Sequence, residues 1–210
     1  MKNINFSFCI ILLCLLQNTL QAQKYKFQKL SSDVKKESRK YEKERWNSFP
    51  GGLPINQQLN NTYNKQNELD DYGMQKWFFA TGVSVGQTLA SAEMQANELA
   101  RNELVKQIQS DIKSFTESNL ANNQLSKDEA ASITKTVNVV TNTVAQKLGR
   151  VVTLLKIYRE TANNYEVQVQ IGYHISSAKK IIIEEIKKEL GDNSNNIKLK
   201  IESFLNQSNN

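Results

Sequence analysis

The chain carries one histidine, His174, and two cysteines, Cys9 and Cys14, in 210 residues. His174 is the one candidate general base with hydroxyls close by, at Ser176 and Ser177. A Ser-His-Asp arrangement brings together residues from distant parts of a chain, so two serines at i+2 and i+3 do not define one. The residues favour a solvated surface imidazole. No G-x-S-x-G elbow is present. One imidazole without thiols cannot supply the ligands of a usual zinc site. The acidic pairs are Asp70-Asp71, Asp128-Glu129 and Glu184-Glu185. Adjacent acids on a helix point apart, so these pairs do not converge on a substrate. No Gly-Lys-[Ser/Thr] occurs, and Gly82-Val83-Ser84-Val85-Gly86 is a Gly-x-x-x-Gly spacing on a strand. A phosphate cradle needs free N–H groups at a helix start instead. No residue is therefore assigned as catalytic, cofactor-binding or metal-ligating, and no cofactor is expected.

The cysteines are explained by where they stand. After Met1-Lys2-Asn3 comes an apolar run over 6–16, then Gln17-Asn18-Thr19-Leu20-Gln21-Ala22. A positive start, about ten apolar residues and a small residue at the cut form a Sec signal peptide, with cleavage after Ala22. The run is too short for a span of about twenty apolar residues. Both cysteines fall inside this leader, so the mature chain has no disulfide, thiolate ligand or cysteine nucleophile. Acylated lipoproteins are cut at a Cys after a small residue, whereas Cys14 sits between Leu13 and Leu15. The expected location is periplasmic or secreted.

The elements that must position any site follow from periodicity. Residues 28–46 have Leu30, Val34 and Tyr41 on one side and charges elsewhere, which predicts a helix, stopped by Phe49-Pro50-Gly51-Gly52-Leu53-Pro54. Residues 55–76 are rich in Asn, Gln and Asp and read as a polar linker with a short helix near 57–68. Aromatic and β-branched content predicts a strand at Trp77–Gly86, where Gly82 and Gly86 leave room for close packing or a bulge. Ala92, Ala96, Ala100, Leu104, Ile108, Ile112 and Phe115 form the stripe of a long helix over about 88–119. Ser126 and Glu129 make a capping box. The helix it starts has Ile133, Val137, Val140, Val144 and Leu148 as its stripe and Gly149 as its C-cap. Its β-branched content also allows a strand at 137–144, although the spacing favours helix.

Residues 151–160 and 165–173 read as strands joined by a tight Asn163-Asn164 turn, since Asn tolerates positive φ. Strict alternation in the second strand predicts one buried and one wet face. A helix after Ser176 and Ser177 buries Ile182, Ile186 and Leu190 and ends at Gly191. A polar loop covers 192–196, and Ile197, Ile201 and Leu205 suggest a short last helix before an Asn-rich tail. The expected fold class is α+β: a three-stranded sheet with a hairpin, covered on one face by helices in the order β-α-α-β-β-α, plus an N-terminal helical arm. The expected divisions are a signal peptide at 1–22, a basic arm at 23–54, a linker at 55–76, an α+β domain at 77–191 and a C-terminal tail at 192–210.

Charge is distributed unevenly. The chain has 27 Lys and Arg against 21 Asp and Glu. Residues 24–46 hold nine bases (Lys24, Lys26, Lys29, Lys35, Lys36, Arg39, Lys40, Lys43, Arg45) and four acids (Asp33, Glu37, Glu42, Glu44). Apart from Lys2, the rest is balanced at 17 of each. Such an arm can attract anionic lipid head groups or polymers, or it can be a solvated helix. The interleaved acids favour solvation. Tyr25, Phe27, Tyr41 and Trp46 could stack on bases or sugars, but packing onto the domain is the simpler role. Nucleic acid is not an expected partner of an exported protein.

The strand Trp77–Gly86 with its Ala80-Thr81-Gly82, followed by Ala90, Ala92, Ala96, Ala100-Arg101 and Leu104, resembles the start of the LPP-twenty family of small bacterial envelope lipoproteins. It is also similar to the N-terminal domain of a periplasmic flagellar-assembly protein. The resemblance covers about residues 76–190 and brings no catalytic residues, and this chain lacks the family's lipobox cysteine. It implies an envelope protein used in assembly or interaction, not an enzyme. The expected partners are an envelope protein or anionic envelope polymer, a membrane surface touched peripherally through 24–46, or a second copy of the chain. The alternative is a hydrolase acting on an envelope polymer, with His174 as its base.

Overall fold

The computed structural model describes residues 31–122 and 126–190. The expected leader at 1–22, Lys24, Lys26, Lys29, Tyr25 and Phe27, the expected polar loop at 192–196 and the expected last helix around Ile197 lie outside the described residues. So do the side chains of Phe115 and Leu190. In chain order the elements are α1 (Ser32–Lys43), β1 (Asn47–Ser48), α2 (Ile55–Gln66), β2 (Trp77–Gly86), α3 (Leu89–Asn122), α4 (Lys127–Lys147), β3 (Val152–Thr161), β4 (Asn164–His174) and α5 (Ile175–Leu190). The fold is α+β, as the sequence predicts. The sheet has four strands in the order β1-β3-β4-β2, all antiparallel, not three. The added strand is two residues long and lies in a charged segment, so no periodicity marks it.

β2 packs under the first half of α3. A Cβ built on Gly82 would stand 2.1 Å from the Ala96 carbonyl oxygen and 2.6 Å from the Ala100 nitrogen. One on Gly86 would stand 2.6 Å from Ser91 Oγ. The two glycines are therefore close-packing positions and not bulges: all ten residues of β2 pair with β4 in continuous register. Ala92, Ala96 and Ala100 are fully buried on the facing side of the helix. Small residues on both surfaces bring helix and strand backbones together.

The helix is longer than the sheet. Thirty-four residues reach about 51 Å at 1.5 Å per residue, against about 33 Å for the ten residues of β2. Beyond Ala100 the stripe changes to Leu104, Ile108 and Ile112, all buried, and α4 takes over as the packing partner. Arg101 Nη2 donates to the Leu148 carbonyl, Gln109 Nε2 to the Thr141 carbonyl, and Lys147 pairs with Glu185 at 2.6 Å. The expected cover of one sheet face by all the helices is thus corrected. α3 supplies the main cover of β2 and β4, its second half packs on α4, and α4 in turn packs on α5.

The opposite face is also not simply wet. Leu155 and Ile157 pair across β3–β4 with Gln170 and Gln168, so they share the face of the polar residues of β4. Both are buried, with α2 packed over β3 and α1 against α2. Val34, Ile55 and Leu59 are buried from the helix side. A register shift between Thr153 and Leu155 is the device that buries both Leu154 and Leu155. A bulge puts two consecutive residues where strict alternation allows one. Residues 31–54 and 55–66 are therefore built onto the sheet, in place of a separate arm and linker.

Three local expectations are also corrected. α1 ends at Lys43, before the Pro-Gly segment, through Arg45 at φ 63°. The Arg45 N–H bonds the Glu42 carbonyl and the Trp46 N–H the Tyr41 carbonyl, which is the Schellman closure with arginine in the usual glycine place. The hairpin turn is Ala162-Asn163, because Asn164 already pairs with Thr161, and neither turn residue has positive φ. α4 ends on Leu148 in an extended conformation, so Gly149 does not act as a left-handed cap. The capping box is present: the Glu129 N–H donates to Ser126 Oγ and the Ser126 N–H to Glu129 Oε2.

Two substitutions test this account. Gly82→Ala should lower unfolding free energy by about 3 kcal/mol, because the clash is with helix backbone that cannot rotate away. Arg45→Gly should raise it by about 1 kcal/mol by removing a left-handed L-residue. Urea midpoints read both, and a Gly82→Ala protein as stable as the parent would refute the close approach.

Candidate interaction surface

β1 pairs with β3 only at Ile157 and Tyr158. Below that pairing, α2 runs beside the remaining edge and leaves a cleft of ≈ 510 Å³. Its strand side is Val152, Thr153, Leu154 and Lys156, and its helix side is Gln58, Asn61, Asn64, Lys65 and Glu68. Phe49, Gly52 and Leu53 close the end nearest β1. Gly52 is placed by a turn in which its N–H bonds the Phe49 carbonyl and Gly51 adopts φ 73°.

Gln58 joins the cleft's two sides. Its Oε1 accepts the Lys156 N–H at 2.7 Å, and its Nε2 donates to the Leu53 carbonyl at 2.6 Å. A side-chain amide here makes the contacts that a peptide unit of a neighbouring strand would make. A buried edge N–H left without such a partner would cost about 1–3 kcal/mol. The charges at the cleft are paired among themselves. Lys65 Nζ lies 3.2 Å from Glu68 and 4.1 Å above the Trp77 ring, and Glu68 Oε2 accepts Trp77 Nε1–H at 2.6 Å. The Trp77 hydrogen bond, then Lys65, holds the Glu68 carboxyl below its ordinary range. Lys156 Nζ bonds Glu93 at 2.7 Å and lies 4.6 Å from the Phe49 ring centre. Asn61, Thr153 and the hydrocarbon of Phe49, Leu53, Val152 and Leu154 belong to the uncharged lining.

His174 lies outside this cleft, at the end of β4 opposite Trp77, with the two rings in edge contact at 5.1 Å. Its Nδ1 accepts the backbone N–H of Ser176 at 3.3 Å and lies 2.7 Å from Ser176 Oγ. A backbone N–H only donates, so Nδ1 is an acceptor and the proton of the neutral ring sits on Nε2. Ser176 N–H is in the first turn of α5, so His174 caps that helix. The expectation that the helix follows Ser176 and Ser177 is corrected, since both lie inside its first turn. No carboxylate of the described residues pairs with His174, and among those residues no group of three His, Cys, Asp or Glu is gathered to hold a metal.

The remaining sequence candidates have structural partners. Asp70 Oδ1 accepts the N–H groups of Tyr72 and Met74. Glu129 is in the capping box, and Glu185 pairs with Lys147. Trp46 is buried, in edge contact with Tyr41 and with Arg159 4.7 Å from its ring centre, so packing is its role. Arg159 in turn pairs with Glu166 at 2.7 Å, and Gln168 Nε2 donates to Tyr41 at 3.1 Å. These contacts occupy much of the polar face of the hairpin. Lys35, Lys36, Arg39, Lys40, Lys43 and Arg45 of the basic segment are exposed, with the exposed Asp33, Glu42 and Glu44 among them. The residues that sequence reasoning passed over are Gln58, Asn61 and Asn64. Their signal was a run of amides at i, i+3 and i+6 on one helix face, which composition alone reads as a linker.

No protein-family model matches the chain, and no curated protein matches it at a significant level.

α1 is tied to α2 by Tyr63, whose hydroxyl donates to Glu37 Oε2 at 2.7 Å. That hydrogen bond, before any burial effect, pushes the Tyr63 pKa up from 10.0 to about 12. The folded state holds the proton more tightly than the unfolded chain does. The resulting stabilisation is complete below pH 10 and is lost as pH rises through 12. Tyr63→Phe should remove a step near pH 12 from the tyrosine absorbance titration and flatten the fall in stability between pH 10 and 12. An unchanged titration would contradict the Tyr63–Glu37 bond.

Proposed function

We propose that the protein is an exported component of the bacterial cell envelope that acts by binding another envelope component. The observation that carries this reading is the cleft between α2 and the edge of β3. It is open, its Lys65, Glu68 and Lys156 are held in ion pairs, and it is built around an amide that stands in for a strand. Such a surface offers hydrogen bonds and hydrocarbon to a partner. His174, the base that a hydrolase would need, has Nδ1 committed to the start of α5.

The compartment rests on the leader at 1–22 and on the likeness of the β2–α3 segment to the LPP-twenty pattern. No helix among the described residues is long and apolar enough to cross a membrane. The exposed bases of α1 support a peripheral contact with anionic lipid or polymer, weakened by salt because both charges are solvated. A neighbouring envelope protein is the partner that best suits the cleft.

Mass measurement of the exported form should find a chain beginning at Gln23, recovered from the periplasm or medium. A full-length product confined to the cytosol would sink the export reading. With the captured partner in hand, Asn61→Ala combined with Thr153→Ala should weaken binding by about tenfold or more, near 1.4 kcal/mol. His174→Ala should cost about 1 kcal/mol of stability as a lost cap and leave affinity unchanged. Consumption of a purified envelope polymer by the parent, abolished in His174→Ala, would establish the hydrolase reading instead.

A further inference from the structure

His174 is the chain's one histidine, and it stands where β4, α5, β2 and the end of α2 meet. It closes β4, and Ile175 opens α5 directly after it. The Ile175 N–H donates to the Lys76 carbonyl at 2.9 Å, which ties the start of α5 to the lead-in of β2. The Lys76 N–H in turn donates to the Glu68 carbonyl at 3.1 Å, just past the end of α2. Side chains repeat the connection. The Ser176 N–H donates to His174 Nδ1, the His174 ring stands edge-on to Trp77, and Trp77 Nε1–H donates to Glu68. Contacts thus run without a break from the first turn of α5 to the end of α2. His174 is half-buried, so its ring can exchange a proton with water.

We propose that His174 is a pH-sensitive clasp: with a neutral ring it holds the first turn of α5 against the start of β2, and with a protonated ring it releases that turn. The chemistry is a change of role at one atom. Neutral Nδ1 accepts the Ser176 N–H, whereas in the imidazolium both ring nitrogens carry hydrogen and only donate. Two N–H groups would then face each other at 3.3 Å. A positive charge would also sit among the N–H groups of a helix start, where the macrodipole is itself positive. Nδ1–H can still donate to Ser176 Oγ, 2.7 Å away, but that bond leaves the backbone N–H without its cap. The charges at this corner do not retain a cation. Lys76 bonds the start of α5, Lys65 lies over Trp77, Lys179 of α5 interacts with Asp70, and Arg150 leads into the β3 residue paired with Gly172. The acids are Glu68, taken by Trp77 and Lys65, and Asp70, which accepts the N–H groups of Tyr72 and Met74. Histidine as a residue type changes charge between about pH 5 and 8. Glu68 stays ionised over that range, because the Trp77 hydrogen bond, then Lys65, holds its carboxyl below the ordinary range. Ala178, Ile182 and Ile186 are buried and keep the rest of α5 packed, so release is confined to the first turn. The clasp stands whatever the β3 cleft binds.

The test is NMR on the full chain at about pH 8 and about pH 5, with ring, indole and amide nitrogens labelled. At the higher pH the ring proton should sit on Nε2, and the Ser176 amide should exchange more slowly than in an unfolded chain at the same pH. At the lower pH that protection should fall by about fivefold, the loss of one cap, and the Trp77 Nε1–H signal should shift along the His174 titration curve. His174→Asn places an uncharged acceptor at the N-cap, so it should keep the protection at both pH values and abolish the Trp77 shift. His174→Ala should lack the protection at both. Four results would overturn the proposal. One is a ring proton on Nδ1 at the higher pH, and another is equal Ser176 protection at the two pH values in the parent. The third is a Trp77 signal that ignores the titration of the ring. The last is protection that survives His174→Ala or acid loosening that survives His174→Asn, either of which assigns the effect to another group.

Discussion

The fold depends on the contact between the glycines of β2 and the alanines of α3. Gly82 and Gly86 remove side chains from the strand, and Ala92, Ala96 and Ala100 reduce those on the helix to methyl groups. Backbone then meets backbone, and Ser84 Oγ can bond the Ala92 carbonyl within the seam. A pair of surfaces this close has little freedom to slide, since any larger residue at the seam meets main chain. It sets the tilt of α3 over the sheet and so where its second half meets α4.

The change from alanine to larger residues along α3 marks the handover between partners. Alanine serves where the helix lies on a strand, and Leu104, Ile108 and Ile112 serve where it faces α4. The stripe, the capping box, the boundaries of β2 and the inward valines of α4 were legible in the sequence because each is a local pattern: a spacing of three or four, or a side chain three residues from its partner. The second layer was not legible. α2 is built from amides with Ile55 and Leu59 as its main apolar anchors, and burial there depends on Leu155 and Ile157 nearly a hundred residues away. The bulge that presents those two residues breaks the alternation by which a reader would assign their face.

The candidate surface was hidden for a related reason. Chemistry is usually sought in histidines, acids and glycine-rich loops, and in this chain those residues have structural work: His174 and Glu129 cap helices, Asp70 shapes a turn, and Gly82 permits packing. The other polar groups of the surface are amides and backbone edges. Gln58 gains significance only when its two bonds, to Leu53 and Lys156, are seen together. Aromatic residues followed the same division. Trp46 and Trp77 are held by Arg159 and Lys65, so the stacking surfaces that the sequence advertises are already occupied.

The two ends of the sheet are finished differently, and the difference bears on how the molecule meets others. At the β3 end a two-residue strand, a glutamine and a helix cover the edge in part. At the β2 end no described segment pairs with ten regular residues. A sheet with both edges bare would polymerise through them, since each end could template the next copy. Covering one end breaks that chain of additions. α1, with five bases and three acids, lies across the sheet from α3.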